Sequence, residues 1–121
     1  MTRKASIFLV EDEAIVRMDL AAMLEELGHR IGGEAGNIKD AIDYAYTGTF
    51  DLAILDINIG GLSIDPVADI LERRGVPFLF VTGYGSEWLP SLFRRRLVLA
   101  KPVSKETLGP AINSLIKRDR D

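Results

Sequence analysis

Cysteine is absent from the 121 residues, which excludes a disulfide framework, a thiolate metal site and a cysteine nucleophile. Neither sign of charge dominates. Fifteen basic residues stand against 18 acidic ones, a formal net charge of −3, so no surface suited to nucleic acid is expected. Long hydrophobic runs are missing too. The first apolar run, Ile7 to Val10, is too short for the core of a secretion signal. No stretch approaches the ~18 apolar residues of a membrane span. The expectation is a cytoplasmic protein with no membrane partner. There is a single histidine, His29. It is expected at the surface, in a loop, with no metal or phosphotransfer role. Gly32-Gly33 opens no G-x-G-x-x-G phosphate loop. What is present is apolar material: 47% of the residues are hydrophobic, enough to build a core. The length suits one domain, residues 1–121.

The chain alternates between two periodicities. SIFLV (6–10) reads as a strand. A helix follows, with apolar residues at Ala14, Ile15, Met18, Ala22 and Leu24 and a stop at Gly28. HRIGGEA (29–35) is a weaker, glycine-interrupted strand. Asn37 and Asp40 form a capping-box pattern ahead of a second helix through Ile38, Ala41, Ile42 and Ala45. LAILD (52–56) is the third strand. Asp65 is expected as the N-cap of a helix with Pro66 at its first position, ending before Gly75. VPFLFVT (76–82) and LVLA (97–100) are strands four and five, with a less regular helix through Trp88 and Leu92 between them. Ser104 caps a last helix carrying Leu108, Ile112, Leu115 and Ile116 on one side.

Five βα units in succession, with strands that are continuous apolar runs, imply a parallel sheet covered on both faces. Ligands of such sheets bind at the carboxyl ends of the strands. At that edge stand Glu11, Asp12 and Glu13 after strand one, Asp56 at the end of strand three, Thr82 at the end of strand four and Lys101 after strand five. Crowded carboxylates repel one another. They make sense around a divalent cation, and Mg²⁺ takes oxygen ligands and binds through one or two carboxylates. Asp56 would then serve as a nucleophile that forms an aspartyl phosphate. Lys101 and Thr82 would meet the incoming phosphoryl charge, Lys101 chiefly once that group has arrived. Glu13 is expected to do no more than match the dipole of a helix N-terminus. Arg94 to Arg96 reads as a solvated face, with help in docking a partner as the alternative.

Four motifs, LVEDE (9–13), LAILDINI (52–59), FVTGY (80–84) and AKP (100–102), follow four strands in order. Together they resemble the response regulator receiver domain of two-component signalling, over essentially the whole chain. The F-x-T-G-Y stretch resembles a subclass of receivers common in alphaproteobacteria. The resemblance implies a flavodoxin-like, doubly wound (βα)5 fold with strand order 2-1-3-4-5. It implies that Asp56 is the phosphoacceptor and that Glu11, Asp12, Asp56 and the Asn58 carbonyl hold Mg²⁺. It makes Thr82 the switch hydroxyl, and Lys101 the lysine before a cis peptide to Pro102. The phosphodonor would be a histidine kinase, and a downstream or phosphotransfer protein would receive the signal. Such a chain is a signalling phosphoacceptor rather than an enzyme, although it assists its own phosphorylation and dephosphorylation. The sequence stops after the last helix, so a stand-alone receiver is expected, working as a phosphate shuttle or sink or by protein contact, with a receiver cut from a longer protein as the alternative.

Two positions depart from the family. Val98 stands where receivers usually carry a switch aromatic, and Val103 follows Lys101-Pro102 where an aromatic is common. Pro90 and the glycines at 83 and 85 weaken any helix over 86–96. That segment is expected to order on phosphorylation. The rival reading is a small Mg²⁺-dependent phosphatase of the haloacid dehalogenase type. It would want an acid two residues after its nucleophile, where this chain has Asn58. A flavin- or nucleotide-binding protein of similar topology is a third reading.

Overall fold

In the computed structural model the described residues are 4–83 and 96–120, without the side chains of 117–120. Seven strands and four helices lie within them, in the order β1 (Ser6–Val10), α1 (Ala14–Glu26), β2 (Arg30–Ala35), α2 (Ile38–Thr47), β3 (Leu52–Asp56), β4 (Asn58–Ile59), β5 (Leu62–Ser63), α3 (Asp65–Arg74), β6 (Phe78–Thr82), β7 (Val98–Ala100) and α4 (Lys105–Arg120). Five of the strands form one parallel sheet in the order β2-β1-β3-β6-β7. Counting only these five, the order is 2-1-3-4-5, as expected. The crossover between β6 and β7, with the helix expected through Trp88 and Leu92, lies outside the described residues.

Strand alternation splits the core in two. Ile7, Leu9, Leu52, Ile54, Leu79 and Val81 pack toward α1 and α4. Phe8, Val10, Ala53, Leu55, Phe78 and Phe80 pack toward α2 and α3. β1, β3 and β6 are buried at every position, so each large side chain contributes on the order of 1.5–3 kcal/mol. The helix signals perform as written. Asn37 Oδ1 accepts the Asp40 amide at 2.8 Å, while its own amide reaches the Asp40 carboxylate at 3.0 Å. Gly75 ends α3 in the left-handed region at φ 72°, a conformation that favours glycine. Asp65, expected as the cap of α3, instead lies inside its first turn, and Ile64 takes the cap position.

The phase of α1 differs from the sequence reading. Leu20 and Leu24 are buried, but Ile15 and Met18 are 75% and 68% exposed. The buried face runs through Val16, Leu20, Met23 and Leu27 instead. The helix is apolar on more than one side, so more than one stripe fits a 3.6-residue period. Packing against the sheet selects the face.

The glycines of β2 also have a tertiary cause. Ile7 pairs with Ile31 but Phe8 with Gly33, so Gly32 is the extra residue of a register shift. The Tyr44 hydroxyl donates to the Gly32 carbonyl. A Cβ on Gly33 would lie 2.3 Å from the Tyr44 ring.

His29 is a correction. It is 3% exposed, not on the surface. Its Nδ1 accepts the Ala5 amide at 3.0 Å, and its Nε2 is buried without a partner among the described residues. Burial pushes the imidazole below its ordinary 6.5. A base whose folded pKa is depressed stabilises fully above the unfolded value and loses that contribution as pH falls through the folded one. Stability should therefore rise with pH below 6.5 and level off above it, with a slope of up to about 1.4 kcal/mol per pH unit from this group. Urea unfolding of wild type and His29→Gln between pH 5 and 7.5 checks this. An unchanged slope in the variant would remove His29 from the acid response.

Candidate functional site

Sheet register assembles the site. Asp56 lies opposite Val81, and Thr82 lies opposite Ala100. The Lys101 amide donates to the Thr82 carbonyl at 2.9 Å. On the other side Val10 pairs with Leu55, and the Glu11 amide continues to the Ala35 carbonyl at 3.1 Å. Glu11, Asp12, Asp56, Thr82 and Lys101 thus meet at the carboxyl edge, where the sequence reading placed them. The Lys101–Pro102 peptide is cis, and Val98 is half-buried beside the Phe80 core.

Lys101 is the hub. Its ammonium donates to Glu11 Oε1 at 2.6 Å and to Asp56 Oδ2 at 2.9 Å. The sequence reading reserved Lys101 chiefly for a phosphorylated state; here it already bridges two buried acids. Burial alone would lower its pKa, but the hydrogen bonds and charges of Glu11 and Asp56 outweigh that and hold it above the usual lysine value. Glu11 is fully buried. Burial chiefly raises its carboxyl, with the Asp56 charge adding, against the bonds to Lys101 and to the Glu13 amide. Glu11 is raised despite a cation at 2.6 Å because burying the carboxylate costs more than the ammonium and the Glu13 amide return, with the Asp56 charge adding a smaller push.

Each acid is engaged differently. Both Glu11 oxygens are taken, Oε1 by Lys101 and Oε2 by the Glu13 amide at 3.0 Å. Asp12 is exposed and its Oδ2 accepts the Gly60 amide at 2.8 Å. Asp56 is 7% exposed. Lys101 holds its Oδ2, while among the described residues its Oδ1 has only the Asn58 amide at 3.4 Å, a weak contact. Glu11, Asp12 and Asp56 each offer one oxygen within 4.8 Å of the others. An all-oxygen donor set this close, with Lys101 the one ammonium bonded to it among the described residues, fits a hard divalent ion such as Mg²⁺.

Three features escaped the sequence reading. Asn58 to Ser63 form a small hairpin rather than an open loop, with Asn58 paired to Ser63 and Ile59 to Leu62. Gly60 and Gly61 turn it at φ 59° and 83°, the signature of a two-residue primed turn. Arg96 is only partly solvated: it pairs with Glu72 and its guanidinium lies 4.3 Å over the Phe78 ring, while Arg94 and Arg95 lie outside the described residues. Arg17 reaches back from α1 to the Glu11 carbonyl at 2.6 Å. Nothing in the helical pattern marks that contact.

A parallel five-stranded α/β sheet with an acid cluster and a lysine at its carboxyl edge defines a class of phosphoryl-handling domains. The particular family follows from comparison: residues 7–113 match the response regulator receiver domain, and the chain belongs to that family. It is 35% identical over 119 residues to the transcriptional regulatory protein PdtaR of Mycobacterium tuberculosis, covering 95% of this chain and 58% of that protein. It is 35% identical over 114 residues to the phyllosphere-induced regulator PhyR of Methylorubrum extorquens, covering 91% of this chain and 43% of that one. The chain thus spans about half the length of these curated relatives. The solution structure of SdrG from Sphingomonas melonis superposes with a TM-score of 0.83 at 36% identity, covering 96% of this chain and 99% of that chain. Members of this family are signalling regulators rather than classical enzymes. The phosphatase reading has no support from these relatives, and Asn58 supplies no second acid. Among the described residues no helix is long and apolar enough to cross a membrane.

Proposed function

We propose that this receiver accepts a phosphoryl group on Asp56 from the phosphohistidine of a histidine kinase in the cytoplasm, and passes the signal on by a change of conformation. The FVTGY stretch supports placing it in the subclass that carries that signature. The carrying observation is the asymmetry of Asp56. Lys101 fixes Oδ2, and among the described residues Oδ1 meets only the long contact from the Asn58 amide.

Asp56 Oδ1 attacks phosphorus, the P–N bond breaks, and its electron pair returns to the imidazole, which takes up a proton. Glu11, Asp12, Asp56 and the Asn58 carbonyl would hold Mg²⁺, which when bound supplies positive charge to the phosphoryl oxygens. Lys101 sits close enough to Asp56 to turn from the carboxylate to the phosphoryl group. Thr82, buried at the end of β6, would donate to it from the other side. The protein thereby assists its own phosphorylation and dephosphorylation without turning over a separate substrate. A downstream or phosphotransfer protein would read the result. The BeF₃-activated conformation of the related SdrG, which superposes with a TM-score of 0.78, supports a phosphoryl-responsive receiver.

Incubation with acetyl phosphate and Mg²⁺ should add one phosphate to the intact mass. Asp12→Ala should bind Mg²⁺ at least tenfold more weakly by calorimetry and gain that mass correspondingly slowly. Equal Mg²⁺ affinity in the two proteins would remove Asp12 from the site, and no mass gain in wild type would overturn the function.

A further inference from the structure

We infer that Arg17 is a positioning residue for the acid cluster: it orients the Glu11–Asp12 peptide and so sets the divalent-cation affinity of the site. The inference rests on the proposed Mg²⁺ site and adds a residue that touches neither metal nor phosphoryl group.

The geometry begins at the end of β1. Glu11 lies beyond the last residue of the strand and ahead of α1. Its amide is held by the Ala35 carbonyl. Its carbonyl is held by Arg17, whose NH1 donates to it at 2.6 Å. Both faces of the Glu11 backbone are therefore clamped. The carbonyl belongs to the peptide linking the two acids, so a rotation of that plane would swing the carboxylates of Glu11 and Asp12 relative to each other. Chelation of a small ion demands a narrow spacing, because Mg²⁺ tolerates little departure from octahedral geometry. A hydrogen bond from a charged donor is among the stronger ones in a protein, and this one resists that rotation.

The guanidinium is itself held. Its Nε pairs with Glu34 at 3.2 Å, and the side chain is only 24% exposed. Arg17 thus ties α1, the end of β1 and edge strand β2 together. Gly36 completes the arrangement. A Cβ there would lie 2.8 Å from Arg17 NH1, so residue 36 lacks a side chain where the guanidinium passes. Since the obstructing atom is the tip of a flexible side chain, alanine at 36 would push the head group aside rather than break the backbone.

That provides a test in which the arginine and its charge remain. Mg²⁺ affinity is measured by calorimetry on wild type, Arg17→Met, Gly36→Ala and Glu34→Gln, with thermal unfolding recorded for each without metal. Arg17→Met and Gly36→Ala should each bind Mg²⁺ about tenfold more weakly. Glu34→Gln loses the ion pair but keeps the carbonyl bond, and should bind within about twofold of wild type. A merely structural arginine would lower the unfolding temperature in Arg17→Met and Glu34→Gln alike and move Mg²⁺ affinity in neither. Wild-type affinity in Gly36→Ala and in folded Arg17→Met would overturn the inference while leaving the Mg²⁺ site standing. Absence of Mg²⁺ binding by wild type would overturn the site itself. If Arg17→Met does not fold, Gly36→Ala decides alone.

Discussion

Asp56→Asn should abolish the phosphate gained from acetyl phosphate and leave the fold intact. Three acids crowd the carboxyl edge, and each is a conceivable acceptor. Glu11 has both oxygens engaged and no exposed surface, so an incoming phosphorus cannot reach it. Asp12 is exposed, but one oxygen holds the Gly60 amide and the residue is better placed to hold the cation. Asp56 combines an oxygen fixed by the Lys101 ammonium with one that, among the described residues, meets only a long contact from the Asn58 amide. The amide of asparagine is close to isosteric and its oxygen can still accept from Lys101, but it is no nucleophile. The substitution also removes a negative charge beside Glu11, so stability should change by less than about 1 kcal/mol. Intact-mass spectra of the two proteins after equal incubation give the answer. Mass gain at the wild-type rate in the variant would move the acceptor elsewhere.

Lys101→Met is expected to destabilise the metal-free protein by roughly 2–4 kcal/mol at pH 7, which is near the usual cost of breaking a buried pair. Methionine keeps the length of the stem and removes the charge. Glu11 and Asp56, both buried, would then face each other without the ammonium that bridges them. The pH dependence carries the cause. The Glu11 carboxyl already sits above its ordinary 4.5. A group with a raised folded pKa contributes stability below its unfolded pKa and loses it as pH rises through the folded one. Without Lys101 that folded value rises further. The variant should therefore recover toward wild type as pH is lowered from 7 to about 5, and millimolar Mg²⁺ should narrow the gap by supplying the missing positive charge. Chemical unfolding at pH 5 and 7, with and without Mg²⁺, measures all three effects. A variant as stable as wild type at pH 7 would mean that the bridge has no net value in the resting protein.

The elements most legible in the chain were those dominated by local physics. β1 and β3 were read to the residue, because an uninterrupted apolar run bounded by polar residues leaves little choice. The α2 cap and the α3 stop were legible because Asn37, Asp40 and Gly75 act within one turn of themselves. Less was visible where partners lie far apart along the chain. His29 looked like a loop residue because nothing nearby in sequence suggests burial; the amide it accepts belongs to Ala5, 24 residues earlier. The stripe Ile15–Met18–Ala22 fits a helix as well as the true buried face does, and only packing against the sheet distinguishes them.

The identities at the strand ends were determined by the sequence alone, because acids after strand one, Asp56 after strand three and Lys101 after strand five follow from strand boundaries and alternation. Parallel pairing then had to bring them to one edge. What only the tertiary structure decided is which oxygen meets which donor. That Lys101 bridges Glu11 and Asp56, that Gly60 holds Asp12, and that Arg17 locks the carbonyl of Glu11 are matters of an ångström across separations of 90, 48 and 6 residues. The reason is physical: side-chain identity and strand period propagate along the chain, whereas a hydrogen bond depends on the rotation of each helix and the register of each strand, which are set by the packing of the whole core.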